Sequence, residues 1–96
     1  LYGSPSNVIG GTAPGARNVV SGNGSDGILI GNLSDDNDVL GNYVGVNATG
    51  TTAIPNALVG VELDHSSLCT VGGAVPGARN VISAPSASAC NSKSLE

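Results

Sequence analysis

Phenylalanine, tryptophan and methionine are absent from this chain, and tyrosine occurs only as Tyr2 and Tyr43. A compact globule of 96 residues is normally built around several large apolar side chains. Any interior here must therefore be filled by Val, Ile, Leu and Ala. Charge is equally scarce, at 10% of the residues, about half the usual share. The cations are Arg17, Arg79 and Lys93, and the formal net charge is −4. That balance argues against nucleic acid, whose binding needs clustered Lys and Arg to release counterions. No apolar run approaches the roughly 18 residues that cross a bilayer, so no membrane span is expected. No basic segment followed by an apolar stretch marks a signal peptide. The 40% of apolar residues and the low charge argue against disorder.

What is present is repetition. GGTAPGARNVVS at 10–21 returns as GGAVPGARNVIS at 72–83. Apolar residues come in short bursts, among them Val8-Ile9, Val19-Val20, Ile28-Leu29-Ile30, Val39-Leu40, Tyr43-Val44, Leu58-Val59 and Val81-Ile82, mostly flanked by Gly, Asn, Asp or Pro. None extends with a helical period, so they read as short strands between turns. NVIGG at 7–11, NVVSGN at 18–23, NDVLGN at 37–42 and NVIS at 80–83 each begin with Asn, and apolar residues follow at once or after a single intervening position. The expected fold is all-β, a parallel β-helix of about four coils. Coils stacked at the ordinary strand spacing of about 4.8 Å would set like on like: aliphatic residues inside, Asn hydrogen-bonded along the corners, Gly where φ must be positive. The step from Asn18 to Asn37 is near one coil on this reading, and the longer step from Asn37 to Asn80 would hold two coils or one with an extruded loop.

The strings NVIGGTAPGARNVVSGNGSDGILI, NDVLGNYVGVNATGTTAIPNALVGVEL and TVGGAVPGARNVIS together resemble the repeat of bacterial right-handed parallel β-helix proteins, the pectate-lyase-like superfold of secreted and surface proteins. The resemblance covers residues 7–83, one repeat and part of a second, and implies a right-handed coil and a secreted or cell-surface location. It does not imply one activity, because such repeats are scaffolds for many functions. Residues 1–94 are expected to form a single β-helix domain or fragment, with 84–94 a divergent cap or tail. Leu95-Glu96 reads as a cloning scar.

Four groups of residues are candidates for chemistry. Arg17 and Arg79 follow Pro-Gly turns at equivalent places. By the resemblance such an arginine can act as the base of a polysaccharide lyase; by recurrence it is a pin that ties its loop to carbonyls of the next coil. GNGSDG at 22–27 and GNLSDD at 31–36 share G-N-x-S-D, which is similar to the calcium-binding nonapeptide of β-rolls. Asp26, Asp35, Asp36 and Asp38 are thus either ligands for calcium or a solvated acidic loop. VELDHSS at 61–67 places Asp64 and His65 beside Ser66 and Ser67. Neighbours on a strand face opposite ways, so Asp64 and His65 share a site only if the chain turns there; no G-x-S-x-G elbow accompanies them. Finally, the step from Cys69 to Cys90 is close to a coil, which allows a disulfide, while Cys90 aligns with Ile28 as a small core residue.

Open coil ends expose unpaired backbone over an apolar interior, and no amphipathic helix is available to cap them, so a homo-oligomer by end-to-end stacking or swapping is expected. Two function classes remain. The first is a non-catalytic structural or binding module, with polysaccharide as a partner. The second is a carbohydrate-active lyase or epimerase, or a small hydrolase, using Asp64, His65 and Arg17.

Overall fold

The computed structural model describes residues 1–83 and, as backbone, 88–93. Among the described residues nine strands run in chain order: β1 (Val8–Gly10), β2 (Val19–Val20), β3 (Ile28–Gly31), β4 (Asp38–Leu40), β5 (Tyr43–Val44), β6 (Val59–Asp64), β7 (Thr70–Val71), β8 (Val81–Ile82) and β9 (Ser88–Lys93). They form three parallel three-stranded sheets, β1-β4-β7, β2-β5-β8 and β3-β6-β9. Each sheet takes every third strand, so the chain is a short parallel β-helix of three coils: β1–β3, β4–β6 and β7–β9. A bridge from Tyr2 to Gly31 sets the first residues against β3, on the side away from the second coil. The described solenoid thus has three full coils, and the segment of Tyr2 adds part of another on the first.

The long sequence repeat spans two coils, not one. Val19 pairs with Tyr43 and Tyr43 with Val81, while Ile28 pairs with Val61 and Val61 with Cys90. Residues one repeat apart therefore lie in one column, separated by a single member of the second coil. Coil length is uneven, because different corners carry loops of different size. In the second coil, β4 and β5 are joined by Gly41 and Asn42 alone, but β5 and β6 are separated by residues 45–58. That segment is an extruded loop with a small hairpin, bridged at Val46 and Ala53 and ordered by Asn47, whose Oδ1 accepts the N–H of Thr51 at 2.9 Å.

The interior is as narrow as the missing aromatics require. Ile9, Val39 and Val71 stack in one sheet and Val20, Val44 and Ile82 in the next, while Ile28 sits on Val61 and Ile30 on Leu63. Ile30, Val39, Val44 and Val61 are completely buried. Alternate residues of each strand point out, as the two-residue period dictates.

Asn and Ser close the corners by bonding coil to coil. Asn18 donates its N–H to Asn42 Oδ1 at 3.1 Å, and Asn42 donates its own to Asn80 Oδ1 at 2.8 Å. Asn23 donates likewise to Asn56, and Asn7 to Asn37. A serine ladder runs beside them, from Ser4 N–H to Ser34 Oγ and from Ser34 N–H to Ser66 Oγ. The step from Asn18 to Asn37 is therefore not a coil: the two residues belong to different ladders.

In the third coil the Asn7–Asn37 ladder ends in Cys69. Its Sγ donates to Ser34 O at 3.4 Å, on the carbonyl that Asn37 Nδ2 also reaches. A thiol has no amide oxygen, so among the described residues the N–H of Asn37 lacks the cross-coil acceptor that Asn37 itself offers to Asn7. Cys69→Asn is expected to supply it and to stabilise the fold by about 1 kcal/mol, read as a higher urea midpoint. A lowered midpoint would refute the equivalence of the two positions. The Cys69–Cys90 disulfide that the spacing allows falls on a side chain outside the described residues, although the backbone register does set Cys90 in the column of Ile28 and Val61.

Candidate functional site

The two copies of Pro-Gly-Ala-Arg fold alike. Pro14–Ala16 and Pro76–Ala78 are single 3-10 turns, each closed by the arginine N–H on the proline carbonyl. Proline presets φ at the first position and the arginine returns to extended backbone, φ −65° at Arg17 and −69° at Arg79. The second coil has no such loop here, so the turns of the first and third coils stand on either side of Gly41.

Between them lies a cleft of about 360 Å³, bordered by Pro14, Arg17, Gly41, Tyr43, Pro76 and Arg79. Arg17 is held in place: its Nε donates to Gly41 O at 3.3 Å and its guanidinium carbon lies 4.1 Å from the centre of the Tyr43 ring. The first contact is the loop pin expected of a recurring arginine; the second is a cation–π contact. Arg79 stands two coils away, roughly 9.6 Å along the stack at ordinary strand spacing. Two of the chain's three cations thus share one cleft of an otherwise acidic molecule. Guanidinium groups so placed can hold carboxylate, sulfate or phosphate oxygens through paired N–H donors.

Asp64 and His65 meet on another face, at the end of β6. His65 has φ +53°, which turns the chain out of the strand and brings its Nδ1 to 2.7 Å from Asp64 Oδ1. Both are open to solvent, with side-chain exposures of 55% for His65 and 38% for Asp64, beside a depression of about 320 Å³ formed with Tyr2, Asn32 and Leu33. The neighbouring serines are already engaged. Ser66 is buried, its Oγ accepting from Ser34 N–H and donating to Asp64 O, and Ser67 bonds to Asp35. The structure therefore unites Asp64 with His65 but sets Arg17 in a different cleft from both.

Two of the acidic candidates tie corners together. Asp26 Oδ1 accepts the N–H of Val59 at 3.1 Å, and Asp35 Oδ1 that of Ser67 at 2.8 Å. Asp36 occupies the left-handed region at φ +59°, in line with Ser6 and Leu68 of the neighbouring coils, and Asp38 begins β4. Among the described residues, no three His, Cys, Asp or Glu side chains converge as a metal ion would require. Nor is any helix among them long and apolar enough to cross a membrane.

Tyr43 is the site residue that sequence reasoning passed over. Its place follows from the second coil skipping the loop, which sets Tyr43 in register between Val19 and Val81, directly after the corner where both arginines stand. The chain matches no family pattern, no curated protein and no solved structure.

Proposed function

We propose that this chain is a non-catalytic structural and binding module of a secreted or cell-surface protein, of the bacterial right-handed pectate-lyase-like β-helix kind. One observation carries the reading: the buried polar side chains Ser34, Asn37, Asn42, Asn56 and Ser66 each accept a main-chain N–H from the neighbouring coil. Their chemistry is architectural. The exposed face then offers the arginine cleft as its binding surface, and an acidic polysaccharide is the partner that two separated guanidinium groups would favour.

The contact between Asp64 and His65 supports a second reading, a lyase, epimerase or small hydrolase, because a carboxylate that orients an imidazole is half of a general-base pair. A single experiment separates the two. On incubation with an oligogalacturonide, line broadening in NMR spectra is expected at Arg17, Tyr43 and Arg79 with no unsaturated or hydrolysed product. Arg17→Gln with Arg79→Gln should weaken binding at least five-fold, and a neutral maltooligosaccharide should not bind. Product that forms with the native chain and disappears in His65→Ala would establish the enzyme instead.

A further inference from the structure

The third coil repeats the first, and therefore repeats the surface on which the second coil sits. On the first coil that surface is fully used. Arg17 reaches Gly41 O, Asn18 donates to Asn42 Oδ1, Gly11 N–H donates to Leu40 O, Ile9 O accepts from Asn42 Nδ2, and Val20 O accepts from Gly45 N–H. The equivalent groups of the third coil are the Arg79 guanidinium, the Asn80 N–H and the Gly73 N–H. None of the three has a hydrogen-bond partner among the described residues. Around them opens a cavity of about 470 Å³ bordered by Val71, Gly73, Val75, Pro76, Arg79 and Ile82. Val75 is 54% exposed there.

We infer that this face of the third coil is a socket for a strand of second-coil type, supplied by a partner chain with the pattern of residues 37–46, NDVLGNYVGV. The fit is specific at two places. A glycine must stand where Gly41 stands, because that residue passes between Gly11 of one coil and Gly77 of the next, and a Cβ there meets both carbonyl oxygens. An asparagine must follow it, to accept from Asn80 and to donate to the carbonyl of Val71, as Asn42 does with Asn18 and Ile9. A second copy of the chain would present its first coil, which carries residues 11–17 where the second coil has Gly41 alone. The socket extends the reading of the chain as a structural module; it shares Arg79 with the arginine cleft, but its peptide test reads binding without any sugar present.

The test uses the whole chain, isotopically labelled, and a synthetic peptide of residues 37–46. Resonance shifts are expected at Val71–Ile82, with the Asp64–His65 face unmoved and saturation in the submillimolar range. The same peptide carrying Gly41→Val, and one carrying Asn42→Ala, should each bind at least ten-fold more weakly. Equal binding of the three peptides, or no shift at Val71–Ile82 with any of them, overturns the proposal. So does a concentration-dependent dimer whose shifts fall on that face without peptide, since the occupant would then be a second copy.

Discussion

Gly41→Ala is expected to lower stability by roughly 4 kcal/mol, a large part of the roughly 5–15 kcal/mol that holds a small domain together. Two effects add. Gly41 has φ +69°, where an L side chain costs about 1–2 kcal/mol. The added methyl would also be pressed between two main chains: it collides with Gly11 O on one side and stands 2.8 Å from Gly77 O on the other. Neither neighbour is a side-chain tip that can swing away, and moving either backbone parts a coil from the stack, so about 1–3 kcal/mol of overpacking strain follows. Gly24→Ala is the control, since a Cβ there meets nothing within 4 Å, and its effect should stay within about 0.5 kcal/mol. Urea unfolding followed by circular dichroism measures both, and equal midpoints for the two variants would show that the coils do not pack as closely as described.

The same corner explains why the sequence announces some of this structure and conceals the rest. The repeated string is legible because both copies perform one task, a loop and a strand start facing a bare second coil. Val39, Val44 and Val61 are legible as core because every strand must fill the same narrow interior. Coil length is not legible, since the loops sit at different corners in successive coils and the corner asparagines look alike whichever ladder they join. Asn18 and Asn37 are an instance: each opens a similar Asn-led string at a coil-like distance from the other, yet one bonds to Asn42 and the other to Asn7.

The candidate sites divide in the same way. Arg17 and Arg79 could be paired from their repeat, but Tyr43 could not be placed beside them without knowing that the second coil crosses on Gly41 and Asn42 alone. The contact of Asp64 with His65 depends on a left-handed His65, a conformation uncommon outside glycine; the one residue type to hint at it is Asn32, which bonds to Asp64 O from the preceding coil at φ +53°. Of the acidic residues whose pattern suggests ligands, Asp26 and Asp35 accept main-chain N–H groups, a role that spacing alone does not distinguish from metal binding.

Asn42→Ala is expected to cost about 3 kcal/mol, because it breaks the ladder at a place where an unsatisfied buried group costs roughly 1–3 kcal/mol. Asn42 is completely buried. Its Oδ1 accepts both the N–H and the Nδ2 of Asn18, and its Nδ2 donates to Ile9 O at 2.9 Å. Removing the amide leaves a main-chain donor of the first coil without its acceptor and takes one donor from a main-chain oxygen. Asn47→Ala, in the extruded hairpin, is the comparison: its partners Thr49, Thr51 and Thr52 are exposed and water can replace it, so about 1 kcal/mol or less is expected. Asn42→Asp separates the acceptor from the donor. It keeps an oxygen for Asn18 but turns the other oxygen against Ile9 O and Asn80 Oδ1, so the buried carboxyl is held protonated in the folded chain. Its folded-state pKa then lies above the unfolded value of about 3.9, and its destabilisation is mild below that pH and grows as the pH rises toward neutrality. Unfolding midpoints of Asn42→Asp that do not change between acid and neutral pH would mean that Asn42 is not sealed inside the stack, and the ladder would lose its claim to hold the coils together.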